Sequence, residues 1–293
     1  MSLYYKLAMI LDKKLFLIGL LTLVILISIV FSNVETFEDN GEPIPILNLV
    51  LYSSDGGGPY DRMQKMTREY YKKFSFVKTY YYCFKSDLEK DFDLQDDILY
   101  VKGDESFIPG ILKKTIDAFE YFKNEIPKYK YVVRSNISTI IRFDLLEKDL
   151  RKNAVKYGCA LCWNMEYNKN KKALPENTII FSSGTAIIFS PDVIMNIINN
   201  KDKIDMGKID DASIGEFVQN EMPEVEMQPV LKNTTNYGFH FVPNLDEDKE
   251  KIKDLIKDNK IIFFRNHNGN RELDANQMHI IIEVLNEGAP TYE

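Results

Sequence analysis

Histidine, cysteine and tryptophan are scarce: three His, three Cys and one Trp in 293 residues. None of the histidines is spaced as a ligand pair, which argues against a metal-dependent hydrolase built on them. Cys159 and Cys162 form a C-x-x-C in YGCALCWN, but zinc needs two further ligands and none stands nearby. The pair reads as two small core residues or one local disulfide, with Cys83 left over. A basic block is also missing. Net charge is −7 and the lysines are scattered, which argues against a nucleic-acid partner, whose binding face is clustered and basic. No internal repeat and no low-complexity tract is visible.

Apolar residues, by contrast, make up 45% of the chain and aromatics 12%, so a sizeable core is available and global disorder is excluded. One long uncharged run occurs, LFLIGLLTLVILISIVF at residues 15–31. About 20 apolar residues span a bilayer, with ~17 at the short end. Lys6, Lys13 and Lys14 precede the run, and Glu35, Glu38 and Asp39 follow it. The positive-inside rule then gives a cytosolic tail (1–14), a transmembrane signal anchor (15–31), a stem (32–45) and a globular domain (46–293) across the membrane. A cleaved signal peptide is the competing reading, but the run exceeds an h-region of roughly 7–15 residues and no small-x-small site follows it. The expected location is a membrane, single-pass type II, with the domain in a Golgi or ER lumen or associated with a virus.

The domain begins with ILNLVLYSS, an apolar run of strand length ending in the glycine loop DGGGPYD. Met63, Met66 and Tyr70 follow at helical spacing; SFVKTYYYCF and DILYV are strand-like; residues 107–126 carry Ile108, Ile111, Leu112, Phe119, Phe122 and Ile126 on one helical face. KYVV returns as a strand. Beyond it come two short runs around SSG and a helix with Ser190 as N-cap and Pro191 at its first position. A helix opening at KIDDASIGEF, late strands in YGFHFV and KIIFFR, and a closing helix complete the pattern. This alternation predicts an α/β fold, a Rossmann-type sheet flanked by helices, with ligands at the strands' carboxyl ends. Three such ends stand out: Ser53–Gly58, the stretch around Asp104, and RSNIS at 134–138.

In order along the chain, DDILYVKGDESF, KYKYVVRSNIST, SSGTAIIFSPDVI, IDDASIG and YGFHF resemble motifs of the β-1,3-galactosyltransferase and Fringe-like superfamily of GT-A glycosyltransferases. The resemblance covers about residues 46–241 and implies a GT-A-like mixed sheet, a nucleotide-sugar donor, a glycan or glycoprotein acceptor, and inverting transfer. Where that family carries three aspartates that coordinate a divalent cation, this chain has Asn136-Ile137-Ser138. Neutral amide and hydroxyl oxygens are poorer ligands for Mn²⁺ or Mg²⁺ than carboxylates, so no metal ligand is assigned although either ion remains a candidate cofactor. Cationic groups then have to stabilise the diphosphate, or else transfer has been lost and a carbohydrate- or nucleotide-binding module remains.

The resemblance makes Asp211 the expected general base; its rival role is helix capping, which favours acids at Asp210 and Asp211 without chemistry. Arg134, Asn136 and Ser138 are expected at the donor diphosphate, with Arg265, His267 and Arg271 of RNHNGNR as further cations. Arg134 has an alternative as an ion-pair partner at the sheet end. His240 is either a core histidine or a metal or phosphate ligand. Gly184 reads as a point of close backbone approach, and Ser53 and Arg62 as nucleotide contacts. Lys113 falls near the family's helix lysine. Asn136-Ile137-Ser138 and Asn233-Thr234-Thr235 are also N-glycosylation sequons; the first, at a strand end, reads as unmodified.

Overall fold

The run ILNLVL folds as strand β1 (Ile46–Leu51), buried along nearly its whole length. A strand apolar at consecutive positions, interrupted here only by the buried Asn48, has both faces covered. Ile46 and Val50 pack into one cluster with Met63, Tyr70 and Tyr81, whereas Leu47 and Leu49 pack into another with Leu112, Phe119 and Phe189. The coordinates, a computed structural model, describe residues 41–166, 178–230, 239–241, 249–257 and 261–287; 164–166, 239–241, 255 and 257 are described by their backbone only.

Helix α1 (Pro59–Tyr71) leads from β1 to β2 (Val77–Lys85), and a hairpin of β3 (Phe92–Gln95) and β4 (Ile98–Lys102) follows. Asp96 turns that hairpin with φ 54°, in the left-handed region that Asp tolerates better than most residues. Next come α2 (Gly110–Tyr121), β5 (Tyr131–Asn136), the short β6 (Thr139–Ile141) and α3 (Phe143–Lys152). Strands β7 (Tyr157–Cys159), β8 (Cys162–Glu166), β9 (Thr178–Ser182) and β10 (Ala186–Phe189) precede α4 (Pro191–Asn199) and α5 (Asp210–Glu221). The chain closes with β11 (Met227–Pro229), β12 (Phe239–Phe241), α6 (Lys249–Lys257), β13 (Phe263–Arg265) and α7 (Arg271–Glu287).

The main sheet has the order β11-β7-β10-β5-β1-β2-β4-β3. Its centre, β5-β1-β2-β4, is parallel, while β10 joins β5 antiparallel and β3 joins β4 antiparallel. It is therefore a mixed α/β sheet. Helices α1, α3, α6 and α7 pack on one face and α2, α4 and α5 on the other. A second small sheet, β12-β13-β6, runs β13 antiparallel to β6. The described elements from Pro43 onward form one compact unit.

Several local expectations are revised. The 107–126 helix spans only Gly110–Tyr121; Ile108 and Phe107 precede it and are exposed, while Ile126 sits in a separate short turn. Ser190 occupies the N-cap position of α4, but its hydroxyl accepts no backbone amide of the helix and donates to the Lys156 carbonyl. Cys159 and Cys162 are disulfide-bonded to each other, and Cys83 is a buried free thiol that burial pushes up to about 12. Among the described residues no helix is long and apolar enough to cross a membrane. The 15–31 run, residues 1–14, most of the 32–45 stem and the Asn233 sequon lie outside the described residues.

Candidate functional site

Ligands of open α/β sheets bind beyond the carboxyl ends of the strands, where the strand order reverses. Here the chain leaves β1 for β2 on one side and later returns to β5 on the other, so the switch point lies between β1 and β5. A cleft of about 490 Å³ opens at that point. The end of β1 contributes Tyr52 and Ser53, the end of β5 contributes Asn136 and Ser138, and the β13–α7 turn contributes Arg265, His267 and Arg271. Glu105, Phe107 and Lys114 come from the β4–α2 region and Tyr60 from α1.

The glycine loop after β1 owes its form to Asp55. The N-cap position of α1 is Gly58, which has no side chain to cap with, so Asp55 accepts the Tyr60 and Asp61 amides (2.9 and 3.2 Å) instead. A Cβ at position 58 would lie 2.5 Å from the Asp55 carboxylate, so only glycine lets it reach.

Lys114 is buried in the apolar stripe of α2 and reaches the cleft with its ammonium. Its Nζ donates to the Tyr52 carbonyl (3.0 Å), Ser53 Oγ (3.3 Å) and both oxygens of Glu105 (2.8 and 2.6 Å). Burial lowers its pKa, and the bond to Glu105 opposes that shift. Lys113, the expected counterpart, is exposed and pairs with Asp117.

Arg265 meets Ser138 because β13 pairs with β6 in the register Arg265↔Thr139. The Asn266 amide donates to the Ser138 carbonyl (2.9 Å), and an Arg265 guanidinium nitrogen donates to Ser138 Oγ. Arg271 donates from Nε to the Tyr60 hydroxyl (3.1 Å) and from Nη1 to Asp274 (2.9 Å). Burial, then Arg265 and Arg271, hold the His267 pKa below its ordinary value.

Arg134, expected from sequence at the donor, stands behind the cleft and not in it. It is fully buried on β5, ion-paired with the buried Asp210, and donates from Nη1 to the Gly184 carbonyl (2.8 Å) and Asn136 Oδ1 (3.1 Å). Asn136 thus belongs both to the cleft and to this corner. Gly184 is the close approach: a Cβ there would lie 2.7 Å from Arg134 Nη1 and 3.5 Å from both Asn136 Nδ2 and Asp211 Oδ2. Gly184→Ala should therefore displace the guanidinium and cost roughly 1–3 kcal/mol, read as a lower urea midpoint at unchanged m; a midpoint equal to wild type would show that the corner yields freely.

Asp211 does not line the cleft but neighbours Asn136 across Gly184. Its oxygens accept the Gly184 and Ala212 amides, both at 2.9 Å. Burial, reinforced by Asp210, raises its pKa against the lowering effects of the Gly184 amide and Arg134. Arg62 does not line the cleft either; it is exposed on α1 and ion-paired with Glu272 at the start of α7. His240 lies on β12 opposite Phe264, and its side chain falls outside the described residues.

The oxygens at 136 and 138 suit a divalent cation poorly. Both are neutral, and both already accept from arginines, Asn136 from Arg134 and Ser138 from Arg265. Among the described residues no three His, Cys, Asp or Glu side chains converge as ligands.

Sequence reasoning missed Glu105, Phe107, Tyr60 and Lys114. The one available signal was Lys114 itself, a charge inside the apolar stripe shared with Leu112, Thr115, Ala118 and Phe119.

No protein-family model matches the chain, and no curated protein matches it. Among solved structures it is similar to a glycosyltransferase involved in the glycosylation of the major capsid of PBCV-1, over 80% of this chain and 100% of that one, at 8% identity and a TM-score of 0.46.

Proposed function

We propose that this chain is a glycosyltransferase of GT-A-like fold, moving a sugar from a nucleotide-sugar donor to a glycan or glycoprotein hydroxyl with inversion. The observation that carries this is the cationic cleft at the β1–β5 switch point, with a carboxylate of raised pKa beside it across Gly184. The ordered motif resemblances supply the nucleotide and the sugar. In the proposed step the acceptor oxygen attacks the anomeric carbon as its proton passes to Asp211. The bond from that carbon to the donor diphosphate breaks, and its electron pair leaves with the phosphate oxygen. Positive side chains stabilise the growing negative charge. Ser53 and Asn136 contact the donor, Ser138 presents its hydroxyl beside Arg265, and Arg134 positions Asn136 from behind. Residues 15–31 are proposed to anchor the domain as a type II protein.

The test is release of nucleoside diphosphate from UDP-glucose, UDP-galactose, UDP-N-acetylglucosamine and GDP-mannose by the detergent-solubilised full chain, with and without Mn²⁺. Turnover of at least one is expected. None with any, in either condition, would end the catalytic reading. A non-catalytic carbohydrate- or nucleotide-binding protein is the second reading, favoured by Asp211 having both oxygens engaged by backbone amides. It expects binding without turnover and no effect of Asp211→Asn.

A further inference from the structure

Arg265 is a cation without a counter-ion. Arg134 has Asp210 and Arg271 has Asp274, but Arg265 has no carboxylate partner among the described residues; its hydrogen bond goes to Ser138 Oγ. Its remaining N–H groups are unpartnered without being sealed in, so they open onto the cleft it lines. Burial, then the nearby Arg271 and Arg134, push its pKa down to about 10, with Asp274 opposing the shift only in part, so the guanidinium stays charged at neutral pH. Arg271, whose guanidinium lies over the Tyr60 ring, keeps Nη2 free of any hydrogen-bond partner among the described residues. The carboxylate that does line the cleft, Glu105, is held by Lys114.

Such a field is relieved by an anion with several oxygens, and guanidinium forks match phosphate oxygens two at a time. We infer that Arg265 and Arg271, on the β13–α7 turn, receive the two phosphates of a nucleoside diphosphate directly, where a bridging divalent cation would otherwise stand. Ser138 and Asn136 contribute neutral dipoles beside them. The nucleotide rests on the proposed function; the charge arrangement rests on the cleft alone. Arg134 takes no direct part, because its charge is spent on Asp210.

Calorimetric titration of the full chain with UDP, GDP and inorganic pyrophosphate, in EDTA and again in Mn²⁺, tests this. Binding should persist in EDTA and weaken with added salt. Arg265→Gln and Arg271→Gln should each weaken it roughly 10–100-fold, while the surface control Lys156→Gln leaves it unchanged. Should Arg265→Gln fail to fold, Arg271→Gln carries the test, since Arg271 is partly exposed at a helix start. Binding that requires Mn²⁺ would overturn the inference and leave glycosyl transfer standing. Binding in EDTA without turnover would support it and remove the enzyme. No binding of any probe in either condition would overturn it.

Discussion

Asp211→Asn should lower kcat by roughly 10²–10⁴, the usual contribution of a positioned general base. Asparagine keeps the shape and can still accept the Gly184 amide, but its NH2 cannot accept the Ala212 amide and it cannot take a proton. The melting curve should therefore shift by the loss of one hydrogen bond, about 1–3 kcal/mol, while turnover of the folded enzyme collapses. The wild-type pH profile makes a second demand on the same residue. Burial and Asp210 raise the Asp211 pKa, and a base works only when ionised. The rate should therefore fall with acid at a pH above the ordinary carboxylate range, and that limb should vanish from the residual activity of the Asn variant. A variant retaining full kcat would move the proton acceptor elsewhere, Glu105 being the carboxylate that lines the cleft.

Arg134→Met should cost roughly 3–5 kcal/mol, because it leaves Asp210 buried and unpaired. Desolvation makes the sign asymmetric. Removing one member of a buried pair strands the other charge, whereas removing both replaces an expensive interaction with packing. The double variant Arg134→Met with Asp210→Leu should thus recover much of the loss in a urea titration. Its Asp211 would lose the cation of Arg134 but also the like charge of Asp210, the larger of the two effects, so the carboxylate should ionise more easily and the acid limb of the rate should move to lower pH. A single-variant loss below ~1 kcal/mol would mean that water or backbone rearrangement relieves Asp210.

These effects separate roles that the sequence left merged. RSNIS was recognisable as a polar cluster ending a buried strand, one of three strand ends of interest, while its location at the switch point followed only from the strand order of the sheet. The order of side chains around it did not. Arg134 and Asn136 are two residues apart on one strand, yet the first is sealed behind the cleft by Asp210 and the second lines it, because α5 lays Asp210 against the sheet there. Arg62, which looked available for phosphate, is drawn to Glu272 some two hundred residues on. The helix over 107–126 was visible in its period, which places Lys114 on the inward stripe, but that period does not reveal Glu105 as its partner.

By itself the sequence determined the α/β alternation, the apolar run of β1, the glycine at 184 and the absence of carboxylates from Asn136-Ile137-Ser138. Each is a local property, set by period, side-chain size or charge. Only the tertiary structure decided which cations reach the cleft. Ser138 finds Arg265 through the β6–β13 register, a pairing between segments over a hundred residues apart. Side-chain chemistry is written residue by residue, but the field in a cleft is a sum over charges that strand pairing and burial bring together.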